Sequence, residues 1–398
     1  MYFNHESDRV IIALNNHFKL LVMKKSISSF FIFVVWVSTA LAQREPLSIP
    51  NIGGNKKATV SEYIGLCEVT IRYHRPGVKG REGKIWGKDL AHYGFKDLGF
   101  GSSKASPWRA GANENTLISF SKDVKIDGKP LAAGTYGLSM ALGETETTVI
   151  FSKETNAWGS YFYDEKKDAL RTTVKNEQNT DGTSRDNREG VEWLKYEFLN
   201  QSESSAMIAL MWEKRKIGFV VEVDILKSQY ESFVTEMKLP KGFGLAPLNQ
   251  ATTFCLQNNY QLEQGLIWAD DAVAIQKSFQ TLNTKAAFLK KMGKMAEADA
   301  TMKEAIPLAA TVDLHGYARS LLAEKKAQDA FNIFKMNYDK TPNIYTTNVG
   351  LIRGYSALGN YKKALEYAKM ALTQAPDNLN KESVEKMIKT LEAGKDVN

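Results

Sequence analysis

Between Trp108 and Glu114 the chain sets four chemistries within seven residues: the Trp108 indole, the Arg109 guanidinium, the Asn113 amide and the Glu114 carboxylate. Together they can hold a sugar or an acidic small molecule. The arginine fork grips an anion and the indole stacks on a ring. Glu114 can also move a proton if burial raises its pKa. An Arg109–Glu114 ion pair locking a turn accounts for the same residues equally well.

A second group is Arg75, Lys79 and Arg81, set among Pro76, Gly77 and Gly80. Glycine lets backbone approach a ligand while cations grip carboxylate or phosphate. A charged, solvated turn between strands is the commoner use of such a pattern. A third group is Trp158, Tyr161, Phe162 and Tyr163. Aromatic faces suit sugar rings, yet aromatics in strands and turns more often build core. His74 falls on the polar side of an alternating run, and His92 follows Trp86 by six residues. Neither has the spacing that puts two imidazoles on one metal. His315 reads as packing within a helix.

Several signatures are missing. No G-x-S-x-G elbow, phosphate loop or dinucleotide fingerprint occurs. Ser102-Ser103 lacks the elbow's second glycine, and Glu144 and Glu146 read as a solvated tip. Two cysteines cannot supply a four-cysteine zinc site, and five histidines leave little for a histidine-rich centre. No metal and no cofactor is expected. The 398 residues are 43% apolar and 24% charged, a globular composition long enough for two or three domains. A net charge of +7 over this length is mild and does not imply nucleic acid.

The elements that must position these residues change character along the chain. From about Ala58 to Asp224 the pattern has period two, as in Val69-Thr70-Ile71-Arg72-Tyr73-His74. Asp127-Gly128 marks a tight hairpin. Ala206–Trp212 and Ile217–Val223 flank a charged tip. Lys175 to Gly190 is polar without apolar period and reads as an exposed loop. Many short strands with Gly-rich turns predict an antiparallel β-sandwich or barrel. Leu226, Tyr230, Phe233, Val234 and Met237 then fall at helical spacing, before a Pro- and Gly-rich linker. Cys67 and Cys255 fall in different domains and read as two buried thiols rather than a bridge.

Beyond Leu245 helix pairs recur. Small residues stand at Gly265, Ala298, Ala330 and Ala364, at spacings of 33, 32 and 34. Seven residues on from each come Ala272, Ala305, Asn337 and Ala371. The segment Tyr355 to Pro376 resembles a tetratricopeptide (TPR) repeat, whose period is 34. Asn348 and Ile352 depart from the first-helix consensus. Lys381 to Leu391 is expected to cap the array. The resemblance implies a surface for a protein partner, with Tyr260, Trp268, Tyr317, Tyr345 and Tyr355 as candidate groove aromatics.

The β segment carries Arg75-Pro-Gly-Val-Lys-Gly-Arg81, Ile85-Trp86-Gly87, Trp108 to Glu114, Ala133-Gly-Thr-Tyr-Gly137, Val149-Ile-Phe151 and Trp158-Gly-Ser-Tyr-Phe162, in that order. Over about Ile49 to Val223 it resembles DUF2911, an uncharacterised family of exported bacterial proteins. The resemblance implies a signal peptide and, in some members, TPR repeats behind the domain. It implies no reaction. Gly94 to Pro107 and Lys175 to Gly190 are longer than the family pattern.

Ahead of this, Lys24-Lys25, the apolar run Ile27 to Leu41 and the close Ala40-Leu41-Ala42 describe a secretory signal. The run is short for a membrane-spanning helix, so no stable transmembrane anchor is expected. Met23 is the expected start, with cleavage after Ala42 and a periplasmic or secreted mature chain. The expected organisation is residues 1–42 as extension and signal, 43–224 as β domain, 225–245 as bridging helix and linker, and 246–398 as TPR-like repeats with a capping helix.

The sequence favours an exported, non-enzymatic binding and adaptor module. Its β domain would hold a saccharide or anionic small molecule, and its repeats a protein. Candidate ligand contacts are Arg75, Lys79, Arg81, Trp108, Arg109, Asn113, Glu114 and Trp158. The alternative is a hydrolase or isomerase of a saccharide or cell-wall fragment, with Glu114 as its proton carrier. A third reading makes Arg75 to Arg81 an anchor on acidic lipid headgroups or polysaccharide.

Overall fold

The computed structural model describes residues 54–178 and 190–398. The expected start at Met23 and the signal up to Ala42 lie outside the described residues.

Among the described residues, eleven antiparallel strands form the first part. β1 (Lys56–Ile64) and β2 (Cys67–Arg75) pair along their full lengths. In β2 the alternation predicted from sequence holds: Cys67, Val69, Ile71 and Tyr73 are buried. β3 (Thr116–Phe120) follows the long connection from β2. β4 (Val124–Ile126) and β5 (Lys129–Leu131) flank Asp127-Gly128, whose φ angles of +47° and +79° suit a tight two-residue turn. β6 (Gly134–Leu142), β7 (Glu146–Ser152) and β8 (Asp168–Gln178) continue the sheet. β9 (Val191–Leu199), β10 (Ser205–Glu213) and β11 (Arg215–Glu222) complete it.

The strand order is β1-β2-β3-β6-β7-β8-β11-β10-β9, with β4 on β11. Beyond β2 the chain reaches the opposite edge: Gly77 bridges to Trp193, and the Leu194 N–H donates to the Pro76 carbonyl at 3.0 Å. The sheet is thus a nearly closed barrel, which removes most exposed edge. Its interior is filled by Ile71, Ile118, Ile126, Phe151, Trp212 and Phe219, all under 2% exposed. Full burial of each such side chain stabilises by roughly 1.5–3 kcal/mol.

Two sequence expectations are corrected here. Residues 175–178 are not loop but the end of β8, paired with both β7 and β11. Their side chains are polar because this end of the strand projects past the core. Asn176 bonds Thr147 Oγ1 and the Gly143 and Glu144 carbonyls there. His74 is not on a wet face: it is 3% exposed, because the Glu114 segment folds over it.

Asp224 ends the barrel and caps α1 (Ile225–Glu236), accepting from the Lys227 N–H at 2.9 Å. Lys227 Nζ also meets Asp123 at 2.8 Å, and Ile225 packs on the barrel core. The opposite face, Tyr230, Phe233, Val234 and Met237, packs on the helices that follow.

Those helices come in pairs: α2 (Leu245–Asn258) with α3 (Leu262–Ile275), α4 (Phe279–Lys291) with α5 (Met295–Ala305), α6 (Thr311–Ala323) with α7 (Ala327–Lys340), and α8 (Tyr345–Ala357) with α9 (Tyr361–Thr373). α10 (Asn378–Glu392) closes the array, capped by Asp377 through the Asn380 N–H at 2.8 Å. The recurring small residues fall on the second helix of each pair, and all eight are buried. A Cβ at Gly265 would meet the Phe288 ring at 2.3 Å, so closeness between helices is why that slot is small. Asn337 stands in the second recurring slot, with Ala272, Ala305 and Ala371, and donates there from Nδ2 to the Thr311 carbonyl. Cys67 and Cys255 are both buried and free.

Candidate functional site: a polar cleft beside Arg109

Arg109 follows Trp108, which is tied to β6 by a reciprocal backbone pair with Met140. The guanidinium lies 4.8 Å from the centre of the Tyr161 ring, and Nη1 donates to the Asn113 carbonyl at 2.6 Å. Asn113 permits this by turning back with φ +60°. The other side of the guanidinium lies on Gly159. A Cβ there would sit 2.2 Å from Cζ.

Arg109, Asn115, Ser139, Ser152, Glu154, Ser160 and Tyr163 line a small cleft, with backbone at Gly137 and Gly159. It encloses about 30 Å³, enough for about two water molecules or the head of a carboxylate. Most of its polar groups are already engaged. Ser160 Oγ donates to the Pro107 carbonyl, and Tyr163 Oη donates to Asp168 while accepting from Arg171. Burial, then the Asp168 carboxylate, raises the Tyr163 phenol well above its ordinary value, so it stays protonated. Glu154 bonds Lys167, which holds its carboxyl below the usual range and keeps it charged. Arg109 is the cation on this lining and the group suited to a small anionic acceptor.

The four residues of the Trp108–Glu114 motif do not converge. Trp108 is 4% exposed, stacked on Trp212 with rings 9° apart and edge-on to Trp86. It is core, with no face for a sugar. Glu114 does not pair with Arg109. Its Oε2 lies 2.8 Å from His74 Nδ1, buried and out of line for a hydrogen bond. Burial lowers the His74 pKa, outweighing the raising effect of Glu114 and aided by Lys57, so the imidazole is neutral at pH 7. Asn113 accepts a long contact of 3.4 Å from Asn55. Only Arg109 of the four lines the cleft.

The expected anion cradle is spent on backbone. Arg75 Nε donates to the Leu194 carbonyl at 2.8 Å, pinning the barrel seam. Arg81 donates to the Val78 and Gly77 carbonyls, closing its own turn. Lys79 lies 5.6 Å over the Trp193 ring. The Val78 carbonyl also accepts the Arg81 N–H at 3.2 Å, so the Arg81 side chain braces a turn that the backbone closes. Trp158 is 54% exposed and stands outside the cleft. Buried His92 leaves Nδ1 without a partner, and its pKa is lowered mainly by burial. Among the described residues no group of three or more His, Cys, Asp or Glu could hold a metal ion. No helix among them is long and apolar enough to cross a membrane.

Sequence reasoning had Tyr163 only as one of an aromatic cluster and missed Ser139 and Glu154, which come from β6 and from the turn after β7. It also missed a larger apolar cleft at the start of the helical array, of about 490 Å³. Trp268 and Leu248 form buried parts of its lining, and Phe243 and Ile275 stand at 70% and 56% exposed. Asp271 lines it as well. The Gly242-Phe243-Gly244 run was the available signal: an aromatic held out in a linker. The expected groove aromatics mostly pack within the array. Tyr260 and Trp268 meet Tyr230, Tyr317 meets Phe279, and Tyr355 stacks on Tyr367.

Residues 55–221 match a family model described as "Protein of unknown function (DUF2911)". No curated protein matches the chain. Among solved structures, a tetratricopeptide repeat protein from Parabacteroides merdae is 15% identical, with a TM-score of 0.30. The match covers 43% of this chain and 71% of that one. YrrB, described as a TPR protein with an unusual peptide-binding site, is 15% identical at a TM-score of 0.28, over 40% of this chain and 84% of its own. MamA from Desulfovibrio magneticus is 13% identical at 0.26, over 37% and 92%.

Proposed function

Taking residues 55–221 as a domain of the DUF2911 family with a TPR-like array behind it, we propose that this protein is an exported interaction module. The array docks a partner protein, and the barrel presents a small polar cleft. The observation that carries this reading is the apolar cleft between Phe243 and Ile275. Large apolar side chains left exposed together around a concavity mark a surface kept for another molecule. Asp271 on its lining suits a segment with apolar side chains and a neighbouring cation.

The barrel's contribution is narrower. A cleft of about 30 Å³ beside Arg109 admits a carboxylate head or a single hydroxyl, not a sugar ring. Saccharide as ligand is therefore reduced to a substituent on a larger partner. Export is supported by Lys24-Lys25, the apolar run and Ala40-Leu41-Ala42.

The test is cross-linked capture from the native cell envelope with the full chain and with Phe243→Asp plus Ile275→Asp. The reading requires a partner that the double variant loses while keeping the wild-type fold.

A further inference from the structure

The segment that leaves α10, residues 394–398, does not project from the array. It turns back onto the first helix of the last pair, α8. Ser356 is 1% exposed, and its hydroxyl donates to Asp396 Oδ1 at 2.7 Å. Ser356 Oγ in turn accepts from the Val397 N–H at 3.0 Å. One buried hydroxyl thus reads both a side-chain carboxylate and the next backbone N–H, while Asp396 Oδ1 also accepts from the Asn398 N–H at 3.3 Å and closes a turn. Asn398 adds a reciprocal pair with Arg353: its Nδ2 donates to the Arg353 carbonyl at 3.1 Å, and its Oδ1 accepts from Arg353 Nη1 at 3.4 Å. Val397 is half-buried against the apolar cluster that contains Ile352.

These are the elements of peptide recognition: a main-chain bond and side-chain bonds fix the segment, while one apolar side chain packs on the protein. It differs from a helix cap, because residues 396–398 bond to the Ser356 and Arg353 side chains and the Arg353 carbonyl of α8 rather than closing α10. We infer that the α8 face is a binding site for a short segment that turns at a carboxylate followed by a small apolar residue, and that residues 394–398 occupy it in cis. The occupant that replaces them is a segment of a second polypeptide of that chemistry. A tethered segment faces its site at millimolar effective concentration, so a partner must bind well enough to displace it. The inference rests on reading the array as protein-binding. It concerns the opposite end from the Phe243 cleft, so each can fail alone.

The probe is a fluorescent peptide with blocked ends spanning residues 391–398, titrated onto the full chain. Asp396→Ala plus Val397→Ser releases the segment. The expected result is at least ten-fold tighter binding to the released form than to wild type. Adding Ser356→Ala to that form should lose at least about ten-fold, since it removes both the charge-assisted bond to Asp396 and the acceptor of the Val397 N–H. Circular dichroism confirms that each variant keeps the fold. If Val397→Ser melts early, Asp396→Ala with Asn398→Ala removes only polar contacts and serves instead. Equal binding to wild type and released form overturns the inference. So does a folded released form with no saturable binding, or full binding after Ser356→Ala.

Discussion

The guanidinium of Arg109 rests on the bare Cα of Gly159, where a Cβ would come within 2.2 Å of Cζ. Gly159 also has φ +63°, a conformation other residues adopt at a cost. Gly159→Ala should therefore destabilise the barrel by about 1–3 kcal/mol and displace Arg109 from Tyr161. Urea unfolding followed by tryptophan fluorescence reads the loss. In an Arg109→Ala background the same change should cost clearly less, because the clash is gone and only backbone strain remains.

Two glycines of the array predict opposite signs. A Cβ at Gly265 meets Phe288 at 2.3 Å, so Gly265→Ala should cost about 1–3 kcal/mol through forced repacking. Gly316 lies inside α6 with nothing within 4 Å of a new Cβ. Gly316→Ala should stabilise by about 0.5–1 kcal/mol, because alanine loses less backbone freedom in a helix. Melting temperatures of the two variants should move in opposite directions.

His315 makes the array sensitive to acid. Its pKa is pushed down to about 4, first by burial and then by Arg353 and Arg319. The folded imidazole stays neutral below pH 6.5 while the unfolded one takes a proton. The unfolded state thus binds more protons between pH 6.5 and 4, and stability falls as pH falls through that window. The loss approaches about 3 kcal/mol at pH 4, less for the part of the ring that water reaches. His315→Gln should flatten this slope in melts recorded between pH 7 and 4.5. An unchanged slope would assign it to carboxylates instead.

The tryptophans separate core from surface. Trp212 is 1% exposed and packs against Trp86, Trp108 and the barrel interior. Trp212→Ala should cost about 3–5 kcal/mol. Trp158 is 54% exposed, and Trp158→Ala should change stability by no more than about 0.5 kcal/mol. Thermal melts of both variants decide this.

Period-two alternation in β2 and the spacing of Gly265, Ala298, Ala330 and Ala364 made both halves of the fold legible, because burial imposes those periods directly on the sequence. The cleft was not legible in the same way. Arg109 meets Ser139, Ser152 and Gly159 only because β6, β7 and the 157–163 segment converge in space. Nearness in sequence misled at Trp108 and Glu114, which face the core and His74 instead. The cations Arg75 and Arg81 looked free because the sequence hides which carbonyls the fold brings within their reach. Residues 175–178 looked like loop because a strand projecting past the core carries no apolar face.

The central claim is that the apolar cleft at the start of the array docks a partner protein. Cross-linked capture from the native envelope tests it most directly, comparing the full chain, Phe243→Asp plus Ile275→Asp, and Arg109→Ala. All three should keep the wild-type circular dichroism spectrum. The account predicts one enriched protein, lost with the cleft variant and retained with Arg109→Ala. A set of captured proteins that is the same for wild type and the cleft variant would contradict it.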